Sequence, residues 1–155
     1  GEPITRVSAV LTTVDKKYPD GSLIAVDDNA YCIYQTDSKV TGTMHVSWTQ
    51  YGEECNSTII QGSKGTLRCY TDPKYTLILE KKGGEIEKME LDTVGTNEDQ
   101  TSGKLFNSGV IDGFVESIVQ DTEPPVSGEE AIKAMKVVFA AEKSNETGEM
   151  VSVEY

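Results

Sequence analysis

The stretch Val40-Thr41-Gly42-Thr43-Met44-His45-Val46-Ser47-Trp48-Thr49 alternates strictly, with Met44, Val46 and Trp48 on one side of an extended chain and Thr43, His45, Ser47 and Thr49 on the other. Successive side chains of a β-strand point to opposite faces, so this reads as a strand with a core face and a polar face. A half-polar sheet face is solvated, forms a ligand wall, or meets a second subunit.

The same period of two runs through the first ~90 residues, rich in the β-branched and aromatic types that suit pleated sheet. It predicts strands near 4–14, 22–37, 40–50, 56–61, 65–71, 75–81 and 85–91. Pro19-Asp20-Gly21, Asp37-Ser38-Lys39, Gly62-Ser63-Lys64-Gly65, Asp72-Pro73 and Gly83-Gly84 punctuate them as turns. Links this short join antiparallel neighbours, because a parallel crossover needs a dozen or more residues. The segment Thr93 to Gly109 shows no apolar period and reads as a long loop. Helical spacing follows at Val110, Ile111, Phe114, Val115, Ile118 and Val119, closed by Pro124-Pro125. A second helix begins at Ser127, with Glu130 completing a capping box and a stripe of Ala131, Met135, Val138 and Glu142. Gly148 stops it, and Met150 to Tyr155 alternates as a last strand. The expected fold is α+β: an open, mostly antiparallel sheet with two C-terminal helices packed on one face.

The chain has 155 residues, 37% of them hydrophobic, and 26 acidic against 14 basic side chains give a net charge of -12. It is long enough to bury a core without disulfides or metal, and too short for two full domains. The negative charge repels phosphate backbones and anionic lipid, which excludes nucleic acid and membrane surfaces as partners. No apolar run approaches the ~20 residues that span a bilayer. The cysteines, Cys32, Cys55 and Cys69, are odd in number and lack metal or redox spacing, so they read as small, buried or half-buried apolar residues in a reducing, cytoplasmic compartment. The sequons Asn56-Ser57-Thr58 and Asn145-Glu146-Thr147 would matter only in a secreted protein.

The inventory for catalysis is sparse. His45 is the only histidine and sits mid-strand on the polar face, so it reads as an interface or hydrogen-bonded residue. Asp27-Asp28 cannot share a proton or metal, because strand neighbours point to opposite faces; the favoured reading has one or both at a strand-side turn or capping a backbone amide. Gly62-Ser63-Lys64-Gly65 matches no nucleotide loop and reads as a hairpin turn. Ser47 to Glu54 combines two aromatics with hydroxyl, amide and carboxylate groups, the mix that holds a polyhydroxylated ligand. It reads equally as a core tryptophan beside solvated charge.

Four stretches resemble the C-terminal domain of the glucose-fructose oxidoreductase, inositol dehydrogenase and rhizopine-catabolism (Gfo/Idh/MocA) family. These are Asp27-Asp28-Asn29-Ala30, Val40 to Trp48, Ile60-Gln61-Gly62-Ser63-Lys64-Gly65-Thr66-Leu67, and the ending that runs from Phe114–Ile118 through Pro125–Ala131 to Ala141–Gly148. The resemblance implies an NAD(P)-dependent parent enzyme acting on a sugar, sugar derivative or cyclitol, with NAD or NADP bound by a separate Rossmann domain and none in these residues. The family's catalytic Lys and His have no matching position here, so no catalytic residue is carried over. The chain starts at Gly1-Glu2-Pro3-Ile4-Thr5-Arg6 without methionine or leader, and is expected to be the substrate-binding and oligomerisation half of a longer protein, inactive by itself. Carried over as substrate-binding positions are Trp48, Gln50, Tyr51, Glu53 and Asn107. Thr43, His45 and Ser47 would line a homo-oligomer interface on the sheet face. The alternative is a stand-alone ligand-binding or protein-interaction module using that face.

Overall fold

The computed structural model describes residues 2–52, 55–90 and 110–155. Along the chain run β1 (Arg6–Thr12), β2 (Asn29–Gln35), β3 (Thr41–Ser47), β4 (Thr58–Gly62), β5 (Gly65–Cys69), β6 (Leu77–Lys81), β7 (Ile86–Met89), α1 (Val110–Gln120), α2 (Gly128–Thr147) and β8 (Val151–Ser152). The class is α+β with open antiparallel sheets, as the turn spacing predicts. The described strands form two four-stranded sheets rather than one, ordered β3-β2-β1-β8 and β4-β5-β6-β7. The chain divides into two compact units, Gly1–Tyr51 with Asp121–Tyr155, and Gly52–Gln120.

In the first unit β1 is central, pairing with β2 along its length and with β8 only at Arg6 and Val7. Val7, Ala9 and Cys32 form one face of the sheet and are buried with Ala140 and Ala141 of α2 and with Val153. The two alanines let the helix approach the sheet closely, so a core of small side chains suffices. Ser127 caps α2 by accepting from the Glu130 N–H at 3.4 Å, while the Glu130 carboxylate engages Lys133. At the other end Gly148 adopts φ 71°, a left-handed cap that glycine reaches without strain, and its N–H bonds Ser144 O at 2.8 Å.

The helix stripe read from the sequence is corrected here. Ala131, Met135, Val138 and Glu142 are exposed, and Val137, Ala140, Ala141 and Ser144 face the strands. The periodic reading followed the larger apolar side chains, whereas the contact is made by the small ones. Fully buried Ser144 accepts from the Ala9 N–H at 3.0 Å and donates to Glu149 O at 2.5 Å. Asn145 Oδ1 accepts from the Leu11 N–H at 2.9 Å. Past the short β8, these two side chains take the place of a neighbouring strand along β1, satisfying backbone donors that would otherwise be lost.

The expected strand 22–37 is shortened to Asn29–Gln35. Residues before it form a turn in which Tyr18 N–H bonds Ser22 O and Gly21 N–H bonds Tyr18 O, with a single bridge between Lys17 and Leu23. In β3 the two faces are as read, since Met44 pairs with buried Cys32 and His45 with Tyr31. The core assignment of Met44, Val46 and Trp48 does not hold: they are 40%, 49% and 63% exposed. The strand is at the edge of its sheet, and α2 lies over β1 and β8.

In the second unit β4 to β7 form a meander of hairpins. Ser63-Lys64 turns β4 into β5, as expected for a glycine-flanked hairpin. Arg68 Nε donates to Glu80 Oε2 at 3.0 Å across the β5–β6 pair, and Lys81 reaches both Glu85 and Glu87. The apolar stripe of α1, including Ile111, Phe114 and Ile118, is exposed. All three cysteines are free; Cys32 is buried and Cys69 half-buried, but Cys55 is exposed, against the expectation that all are sheltered. The expected loop Thr93 to Gly109 lies outside the described residues.

Candidate functional site

The end of β3 and the turn after β1 are tied together by one buried carboxylate. Asp28, 3% exposed, precedes β2 and accepts backbone N–H bonds from Val14, Asp15 and Lys16, each at 2.9 Å, and one from the Asn29 amide at 2.7 Å. Burial pushes its ionisation up; the four donated bonds outweigh this and hold it well below the usual carboxylate range. Three successive N–H groups converge on it because the chain curls over residues 14–16, which ends β1. The amide-capping reading of Asp27-Asp28 is thus correct for Asp28. Its own backbone joins the strand ends, with Asp28 N–H on Thr12 O at 3.0 Å and Trp48 N–H on Asp28 O at 2.8 Å.

A second layer sits beside it. Asn29, buried, places its amide 3.2 Å from Thr49 Oγ1, which lies 2.9 Å from Ser47 Oγ; the latter accepts from the Thr49 N–H at 3.0 Å. These bonds fix the direction of the chain as it leaves β3. Trp48 and Tyr51 follow, 63% and 78% exposed. Tyr51 is nevertheless held: its hydroxyl donates to Asp15 Oδ2 at 2.7 Å, and Lys16 Nζ stands 5.4 Å from its ring centroid. The bond to Asp15, reinforced by the aspartate's charge, raises the phenol's ionisation above the usual tyrosine range, so the hydroxyl stays protonated and committed to Asp15.

Of the five expected substrate-binding residues, Trp48, Gln50 and Tyr51 lie together at this strand end, and Gln50 is itself engaged. Glu53 and Asn107 lie outside the described residues. Thr43, His45 and Ser47 share the sheet face opposite α2, where His45 stacks on Tyr31 with ring centroids 4.1 Å apart and planes 10° from parallel. Val10, Tyr31 and Ile33 on that face are exposed. Sequence reasoning missed Asp15 and Lys16, which stand in an aperiodic turn and acquire their place only through Asp28.

Among the described residues no group of histidine, cysteine and carboxylate side chains could hold a metal ion, and no helix is long and apolar enough to cross a membrane. A nicotinamide dinucleotide needs a helix N-terminus directly after a parallel strand to meet its pyrophosphate. Every strand pairing described here is antiparallel, so these residues do not fit that group.

This fold is shared with several oxidoreductases among solved structures. An oxidoreductase from Agrobacterium radiobacter in complex with NAD+, L-tartaric acid and magnesium matches with TM-score 0.74 at 19% identity, over 97% of this chain and 44% of that one. Levoglucosan dehydrogenase in complex with NADH and levoglucosan matches with TM-score 0.77 at 14% identity, over 99% of this chain and 46% of that one. Aldose-aldose oxidoreductase from Caulobacter crescentus, complexed with glycerol, gives 0.67 at 21% identity, over 97% and 42%. The chain therefore spans less than half the length of each. Residues 1–68 match the family model of the GFO/IDH/MocA C-terminal domain, so the resemblance to that family is shown over the part that holds three of the four motif stretches. No curated protein matches the sequence.

Proposed function

We propose that this chain is the substrate-binding and oligomerisation domain of a cytoplasmic NAD(P)-dependent oxidoreductase acting on a sugar, sugar derivative or cyclitol, whose cofactor is bound by a separate domain. The family match over residues 1–68 carries this reading. It is supported by the superposition of nearly the whole chain on less than half of each of several oxidoreductases, some of them complexed with NADH or polyols. The Trp48–Tyr51 strand end is the substrate wall in this reading; Glu53 and Asn107 are assigned to substrate by the family resemblance and lie outside the described residues. Trp48 is the only tryptophan, so its emission reports the site directly. Titration with levoglucosan should shift that emission with millimolar affinity, and calorimetric titration with NADH should show no micromolar binding. Micromolar NADH binding, or an emission unchanged by levoglucosan, would sink the proposal.

The face opposite α2 is the oligomer interface in this reading. Its exposed Val10, Tyr31 and Ile33, with Thr43, His45 and Ser47 alongside, present a mixed apolar and polar surface of the kind that self-associates isologously. Light scattering at high concentration should give at least a dimer mass, and Ile33→Glu should return the monomer with unchanged circular dichroism. A wild-type chain that stays monomeric would count against this interface and leave the substrate wall untouched.

A further inference from the structure

Large aromatic side chains on loops after a strand ordinarily sample several rotamers, and binding must then meet the cost of ordering them. Tyr51 is different: it is the most exposed of the described tyrosines and tryptophan, yet both its hydroxyl and one ring face are occupied by the turn after β1. That turn is anchored through Asp28, whose carboxylate accepts the backbone N–H groups of the very residues, Asp15 and Lys16, that hold the ring. The side chains of Asp15 and Lys16 remain partly exposed, with Lys16 Nζ 3.9 Å from Asp15 Oδ2.

We infer that Asp15 is a positioning and specificity residue of the Trp48–Tyr51 ligand wall, and that the polar edge it forms with the Tyr51 phenol selects ligands that donate hydroxyl protons over ligands that present carboxylates. The inference rests on the proposed substrate wall. Its chemistry is a matter of which lone pairs and protons are spent. Because the phenol proton is committed to Asp15 Oδ2, the phenol oxygen offers only lone pairs outward, and Asp15 Oδ1 offers only lone pairs as well. An ionised carboxylate accepts bonds and donates none, so a sugar hydroxyl satisfies the Asp15–Tyr51 edge, whereas an acid group meets acceptors there and finds a donor only in Lys16 Nζ, whose charge Asp15 already offsets from 3.9 Å. The Lys16 ammonium lies against one face of the ring, which leaves the other as the stacking platform for the C–H side of a sugar ring.

The test uses the whole 155-residue chain, with Trp48 emission read during titration by levoglucosan and, separately, by L-tartrate. Wild type should bind levoglucosan at least tenfold more tightly than L-tartrate. Asp15→Ala should weaken levoglucosan binding roughly tenfold, the loss expected when a charged acceptor is removed. Its melting temperature should stay within about 2 °C, because the Asp15 backbone bond to Asp28 survives the change. Asp15→Asn still accepts from Tyr51 and turns an amide donor outward, so it should narrow the levoglucosan-to-tartrate ratio, which a purely structural role would not move. Equal levoglucosan affinity in wild type and Asp15→Ala, or equal affinity of wild type for the two ligands, would overturn this inference alone. No binding of levoglucosan to wild type would overturn it together with the substrate wall.

Discussion

Asp28→Ala should lower the melting temperature by roughly 10 °C, a very large response for one side chain in a domain of this size. The change strips the acceptor from three consecutive backbone N–H groups, those of Val14, Asp15 and Lys16, and from the Asn29 amide. These bonds are partly buried, and a partly buried donor left without its partner costs more than an average hydrogen bond contributes. Asp28→Asn separates charge from geometry: its carbonyl can still receive one or two of the donors, while its amide turns a proton toward the others. It should fall between wild type and alanine. The pH dependence follows from the direction of the shift. The folded-state ionisation of Asp28 is depressed, so the stability it contributes is complete above the unfolded-state value of about 3.9 and drains away as pH falls toward the lower folded value. Acid titration followed by circular dichroism should therefore show wild type losing stability below about pH 4 more steeply than Asp28→Asn. Parallel acid curves, or an alanine variant melting with wild type, would mean that the carboxylate does not organise the turn.

Gly65→Ala should destabilise the β4–β7 unit by on the order of 3 kcal/mol, the scale of an overpacked site with a backbone that must move. A methyl group built on Gly65 would overlap Glu80 O and lie 3.0 Å from Lys81 Cα and 3.1 Å from the Glu80 carbonyl carbon. All three are backbone atoms of β6, directly paired with β5, so no side chain can swing aside to relieve the contact. Gly62, at the other end of the same hairpin turn, has its nearest atom at 3.6 Å and should accept alanine with a change below about 1 kcal/mol. Urea unfolding of the two variants makes the comparison, and equal midpoints would refute it. The pair also explains why the glycines of this hairpin are unequal: a methyl on one would meet the β6 backbone, and on the other would make only an ordinary van der Waals contact with Gly65 O.

Local signals in the sequence reached the strands and hairpins with little loss. Alternation placed β3 and its two faces, the glycine-flanked Ser63-Lys64 turn placed a hairpin, and Ser127 and Gly148 bounded α2 at the right residues. What local signals could not reach was the distribution of strands between two sheets, since short turns are compatible with one sheet or two. Nor could they reach the helix face that Ala140, Ala141 and Ser144 present, because periodicity weighs side-chain size and this contact depends on smallness. At the candidate site, composition singled out Ser47 to Glu54 and the family resemblance supplied Trp48, Gln50 and Tyr51, so these positions were legible in the sequence. Asp15 was not, because its place is set by a carboxylate 13 residues away whose role is visible only once three amides are seen to point at it.

The side chains of Ser144 and Asn145 that finish the edge of β1 come from 135 and 134 residues further along the chain. During synthesis β1 waits, with its apolar face bare and its outer edge unpaired, while the whole of Gly52–Gln120 is made. The last turn of α2 and β8 close it only after that whole segment has emerged. Contacts of this span fold slowly and keep a sticky strand edge in solution for as long as they are unmade. For this chain, the period of greatest risk of misassembly is therefore set by the time the ribosome takes to make Gly52–Gln120, and slow translation of that segment prolongs it.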